Sequence, residues 1–104
     1  MTHEVELSSQ AEQDLREIYL YIQEHGPAHP EDWLEGLEKK LVSLKAFPEG
    51  CSIAPENDFV EKVIRQTLFG VFRILFTIRA QKVYVITVRH SARKFMTKDE
   101  LKGI

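Results

Sequence analysis

A chain of 104 residues, 43% apolar and 29% charged, suits one globular domain with one modest core rather than a disordered segment. Its 14 basic and 16 acidic residues give a formal net charge of −2, which excludes a generally cationic, nucleic-acid-coating surface and allows only a local basic patch. The single cysteine, Cys51, excludes an internal disulfide and fits a reducing compartment.

The N-terminus carries acids and no apolar run, so it does not read as a signal peptide. The longest nearly apolar stretch, Val71–Ile78, is interrupted by Arg73 and Thr77 and is too short to cross a bilayer. A cytoplasmic protein with no membrane role is the expectation, folded as a single domain over residues 1–104.

Val5-Glu6-Leu7 alternates and reads as a short first strand. Ser9-Gln10-Ala11-Glu12 has the form of a capping box, in which the serine hydroxyl and the glutamate each satisfy a free N–H at a helix start. Ala11, Leu15, Ile18, Tyr19 and Ile22 then recur on one helical face, and His25-Gly26-Pro27 stops the helix. A second helix is predicted from Pro30-Glu31-Asp32, with proline and acids in its first turn. Its apolar stripe is Trp33 or Leu34, then Leu37, Leu41 and Leu44, and Phe47-Pro48-Glu49-Gly50 closes it. The short connection makes the two helices an antiparallel hairpin.

Cys51 to Asp58 reads as loop, with Pro55 and Asn57 as breakers. Beyond Phe59 the pattern turns to strand: Val63–Leu68, a turn at Gly70, then Val71–Arg79 and Val83–His90. The tail from Ser91 is polar, with a helical turn predicted at Thr97-Lys98-Asp99-Glu100. The expected class is α+β, in the order β-α-α-β-β-β, with the helical hairpin packed on one face of a small antiparallel sheet.

The last two strands carry the most information. Phe72, Ile74, Phe76 and Ile78 share one face of the first, and Tyr84, Ile86, Val88 and His90 share one face of the second. A three- or five-residue loop around Ala80-Gln81-Lys82 puts all of them under the helices, with Phe76 opposite Ile86 and Ile74 opposite Val88. Arg73 then lies opposite Arg89 on the far face. Like charges so placed repel, and two readings stand: the pair awaits an anionic partner, or both arginines reach out to water. His90 ends the core-facing set opposite Phe72, where a structural hydrogen bond and an acid–base role are alternatives. Arg93 and Lys94 extend the only concentrated positive region. The histidines and Cys51 show no metal-ligand spacing, so no metal or cofactor is expected. Cys51 reads as a loop or packing residue and Trp33 as core.

Taken together, four segments are similar to the ParE branch of the RelE/ParE toxin superfamily: Asp14-Leu15…Ile18-Tyr19…Tyr21-Ile22, Leu44…Phe47-Pro48-Glu49-Gly50, Phe72-Arg73-Ile74-Leu75-Phe76, and Val88-Arg89-His90-Ser91-Ala92-Arg93. The resemblance implies the same α+β fold and a toxin restrained by a cognate antitoxin. It also implies one of two targets: RelE-like members cut mRNA on the ribosome, whereas ParE-like members poison DNA gyrase without cutting. The net charge of −2, and Phe95 where a C-terminal tyrosine would serve a nuclease, favour the gyrase binder. On that reading Arg73, Arg89, His90, Arg93 and Lys94 are the candidate target contacts, and no sequence-specific DNA binding is expected. The nuclease alternative would use Arg73 and Arg89 to stabilise phosphate charge and His90 as acid or base. A third reading is a non-toxic relative that only binds its antitoxin. The antitoxin tail is expected on the open sheet face formed by Arg73, Leu75, Thr77 and Arg89.

Overall fold

The computed structural model describes residues 3–26, 29–56 and 63–101. Pro27, Asn57, Asp58 and Phe59, named above, lie outside these. The elements are β1 (Glu4–Leu7), α1 (Ser9–His25), α2 (Pro30–Ser43), a 3₁₀ turn (Pro48–Gly50), β2 (Ser52–Ile53), β3 (Arg65–Phe69), β4 (Phe72–Arg79), β5 (Lys82–His90) and α3 (Lys98–Leu101). The strands form one sheet in the order β1-β5-β4-β3-β2. The predicted α+β arrangement is present, the expected C-terminal helical turn appears as α3, and β2 is a short addition. The sheet is mixed: β2 to β5 pair antiparallel, while β1 runs parallel to β5, with Val5 beside Val83 and Leu7 beside Val85. A parallel pair needs a long crossover, which the helical hairpin and the intervening strands supply.

The N-cap of α1 is Ser8, one residue before the predicted capping box. Its Oγ accepts from the Ala11 N–H at 2.9 Å and donates to the Ile86 carbonyl at 2.6 Å, so the same hydroxyl starts the helix and pins it to β5. The predicted stripes of both helices meet the sheet. Ala11, Leu37 and Leu44 are buried with Ile74, Phe76, Val83, Val85 and Val88, and Leu15, Ile18, Trp33, Leu34 and Leu41 pack around them. Trp33 meets Phe69 and Phe72 edge-on. Burying a side chain the size of Phe76 contributes roughly 1.5–3 kcal/mol, so this layer is the main source of stability.

The β4–β5 register bears out three expected pairings, Phe72 with His90 among them, and corrects the expected loop length and the pairing of Phe76. Ile74 pairs with Val88 and Arg73 with Arg89, as predicted, but Phe76 faces Val85 rather than Ile86. Arg79 pairs with Lys82, which leaves a two-residue turn, Ala80-Gln81, with Ala80 at φ 53°. Positive φ there matches the twist of tight hairpins. The shorter loop slips the register by one residue, and an irregularity between Leu75 and Phe76 absorbs Ile86 as the extra residue on β5 and restores it. Val83 and Val85 therefore face the helices, while Ile86 joins the opposite side of the sheet.

That opposite side is also covered. Leu75 and Ile86 form a second buried cluster with Ala54, Ile64, Met96 and Leu101, contributed by the segments before β3 and after β5. β1 ends opposite Val85, so the later residues of β5 have no strand on that side, and Asp14 meets them. Its carboxylate accepts from the Val88 N–H at 3.1 Å, from the Thr87 hydroxyl, and from Gln10 Nε2 at 2.8 Å, all with Asp14 only 6% exposed.

Candidate functional site

Arg73 and Arg89 are cross-strand neighbours beneath the second layer, and both are buried. Arg73 is fully engaged. Its Nη1 and Nη2 donate to Glu56 Oε2 and Oε1 at 3.1 and 2.6 Å, and its Nε and Nη2 donate to Gln66 Oε1 at 2.9 and 2.8 Å. The Phe95 ring lies 5.2 Å from the guanidinium carbon. Glu56 has no exposed surface and also accepts the Met96 N–H at 3.1 Å. Burial pushes the Glu56 carboxyl up, but the hydrogen bonds from Arg73 and Met96 outweigh it, and the net displacement is downward.

Arg89 is held more loosely. Its Nη2 lies 3.6 Å from Glu100 Oε2, an ion pair too long to be a hydrogen bond, and its Nε and Nη1 are buried without a hydrogen-bond partner. Burial and then Arg93 push this guanidinium below its ordinary pKa, against the pull of Glu100 and Glu56. Glu100 closes a capping box at the start of the helical turn expected in the tail: the Thr97 N–H donates to Glu100 Oε1 at 3.0 Å, and the Glu100 N–H donates to Thr97 Oγ1 at 3.2 Å. The Thr97 N–H, against the opposing effect of burial, and then Arg89 hold the Glu100 carboxyl below the ordinary value.

The other predicted site residues separate into two groups. Leu75 and Thr77 are buried, the Thr77 hydroxyl donating to the Val63 carbonyl at 2.8 Å. The expectation of an open face formed by Arg73, Leu75, Thr77 and Arg89 is thus corrected, because Ala54, Ile64, Met96 and Leu101 lie over it. His90, Arg93 and Lys94 are exposed. His90 lies on the helix side of the sheet, edge-on to Phe72, and its Nδ1 accepts the Ala92 N–H at 3.0 Å, which puts the proton of the neutral ring on Nε2. The sheet therefore separates His90 from both arginines. Together with Glu17, Tyr21, Trp33 and Val71, His90 lines an apolar groove between the helices and the β3–β4 turn.

The like-charge juxtaposition read from the register is real, and part of its anionic partner is internal. Glu56 sits in what the sequence marks only as loop, and nothing local signals that it folds onto Arg73. Glu100 carries a clearer signal, the Thr97-x-x-Glu100 spacing, although that spacing does not reveal its contact with Arg89.

The chain folds as a helical hairpin on a five-stranded sheet, and solved structures of toxin–antitoxin proteins share this fold. The ParE toxin family of type II toxin–antitoxin systems matches residues 5–95, and the chain belongs to that family. Among solved structures, the chromosomal ParDE system from P. aeruginosa is similar with a TM-score of 0.68 at 15% identity, covering 86% of this chain and 96% of that one. The RelBE2 toxin–antitoxin complex from Mycobacterium tuberculosis follows at 0.60 and 17%, covering 86% and 99%. A double arginine-to-alanine mutant of E. coli toxin RelE in the free state gives 0.54 and 18%, covering 88% and 86%. A comparison with curated protein sequences finds no match.

Proposed function

We propose that this ParE-family chain is a toxin that acts by binding DNA gyrase rather than by cutting RNA, and that a cognate antitoxin restrains it. The observation that supports a binder is the state of the would-be nuclease residues. Arg73 is closed off by Glu56, Gln66 and Phe95, and His90 stands on the other side of the sheet from both arginines. A scissile phosphate held by Arg73 and Arg89 would have no histidine within reach for proton transfer. Of the basic residues among the candidate contacts, Arg93 and Lys94, on the loop that leaves β5, are exposed, and they form the contact surface of the proposal. The P. aeruginosa and M. tuberculosis neighbours are described as a ParDE toxin–antitoxin system and a RelBE2 complex, which supports an antitoxin partner here.

The test is co-purification of gyrase on immobilised chain, comparing the native sequence with Arg93→Ala/Lys94→Ala. Native protein is expected to retain gyrase and the double variant to lose most of it, with unchanged circular dichroism. Failure of the native protein to retain gyrase contradicts the proposal. Growth arrest with site-specific mRNA cuts would then point to the nuclease, and harmless expression to a non-toxic relative.

A further inference from the structure

On the helix side of the sheet, across from both arginines, a groove of about 650 Å³ opens between α1, α2 and the β3–β4 turn. Aromatic rings supply much of its lining. Phe72 and His90 are cross-strand partners, and Trp33 reaches them from the first turn of α2. Trp33 and His90 each stand nearly perpendicular to Phe72, at 74° and 77°, with both ring centroids 5.7 Å from that of Phe72. Tyr21 lines the side toward α1, 64% exposed, with its ring stacked on His25 at 4.7 Å. Glu17 lies one turn before Tyr21 and so shares its face of the helix. One Glu17 oxygen accepts from Gln13 Nε2 at 3.1 Å, and among the described residues no lysine or arginine lines the groove beside it. Apolar surface this open on a small domain marks a contact, and the single carboxylate at its rim gives that contact a sign.

We infer that this groove binds a small quaternary ammonium ion, seated among Trp33, Phe72, His90 and Tyr21 with the Glu17 carboxylate as its counter-charge. Rings set at right angles around one space attract a cation through their quadrupoles, and tryptophan does so best. The lining also selects the kind of cation. An ammonium or guanidinium carries N–H donors that need acceptors, and burying them unpaired is costly. The groove offers few acceptors: the Nδ1 lone pair of His90 already takes the Ala92 N–H, and Glu17 is shared with Gln13. A quaternary ammonium has no N–H, and its methyl groups suit the apolar walls that Ile18 and Val71 add. The ion is free rather than part of a lipid headgroup, because no lysine or arginine in the lining could pair with the phosphate that a choline lipid carries.

The test uses the full chain and two probes of the same shape, choline and its uncharged isostere 3,3-dimethylbutan-1-ol, titrated at pH 8 and constant ionic strength. Trp33 is the only tryptophan in the sequence, so its fluorescence reports occupancy of the groove directly. Choline is expected to give a saturable change, and the neutral isostere to bind about tenfold more weakly. Glu17→Gln, at an exposed position that leaves the core untouched, is expected to weaken choline about threefold and to leave the isostere unchanged. Phe72→Leu keeps an apolar wall without a ring and is expected to weaken choline about fivefold. No saturable response to choline overturns the inference. Equal affinity for the two probes also overturns it, in favour of a plain apolar groove, as does choline binding that Glu17→Gln does not alter. Sedimentation with phosphatidylcholine vesicles in the absence of a response to free choline overturns it in favour of a membrane surface.

Discussion

Arg73 and Arg89 face each other directly across the β4–β5 ladder, yet they are neutralised from different parts of the chain. Glu56, which precedes β3, holds Arg73 through two hydrogen bonds, while Glu100, from the turn that follows β5, stands 3.6 Å from Arg89. The first arrangement is closed and the second is open. The sheet carries a fully hydrogen-bonded arginine and a loosely held one at the same level, and the difference follows from the number of acceptors each receives.

Breaking the closed pair should be severe. Arg73→Ala leaves the Glu56 carboxylate buried with no cation beside it, and such losses cost about 3–5 kcal/mol. Urea denaturation should show a correspondingly lower midpoint at unchanged slope. A combined Arg73→Met/Glu56→Met variant should recover much of the loss, since replacing both charges by apolar groups removes the uncompensated ion. A midpoint for Arg73→Ala within experimental error of native would contradict this account of the pair.

The same pair sets an acid limit. Glu56 has a lower pKa folded than unfolded, so the unfolded chain binds more protons between the two values and stability rises with pH there. The contribution is complete above the ordinary carboxylate value of 4.5 and is lost as pH falls through the lower folded value. Unfolding midpoints measured from neutral pH downward should therefore decline chiefly below about pH 4.5, and Glu56→Gln should flatten that decline.

Asp14 should matter as a backbone partner rather than as a charge. Asp14→Ala leaves the Val88 N–H and the Thr87 hydroxyl without their acceptor at the edge of β5 beyond β1, at a cost of about 1–3 kcal/mol. Amide hydrogen exchange should accelerate at Val88 more than at Val83, whose neighbour β1 remains in place. Uniform exchange across β5 would argue that the carboxylate does not anchor this edge.

These residues also show how far the sequence could be read. The helices were legible because their apolar stripes repeat with a helical period that depends on no distant partner. Ile74 opposite Val88 and Arg73 opposite Arg89 were legible from alternation. The bulge at Ile86 was not, because both faces of β5 are covered: Val83 and Val85 are as apolar as Ile86, so alternation gives no direction. Adjacent serines made the helix cap ambiguous by one residue. The contacts of Glu56 with Arg73 and of Glu100 with Arg89 were hidden for another reason, since each joins a loop or turn to a strand through tertiary folding alone.

The hairpin turn offers a stabilising change. Ala80 adopts φ 53°, a region that disfavours a Cβ and that glycine enters freely. Ala80→Gly should raise stability by about 0.5–1 kcal/mol, the relieved strain exceeding the added freedom of the unfolded chain. A lower melting temperature for this variant would show that the turn is not strained.

The central claim, that the protein is a gyrase-binding toxin, is tested most directly in a gyrase supercoiling reaction. Purified antitoxin-free chain is added, and cleaved plasmid is quantified after protein removal. The account predicts that linear DNA accumulates with native protein and falls sharply with Arg93→Ala/Lys94→Ala. Undiminished supercoiling and no linear DNA, at a large excess of folded native chain, would contradict it.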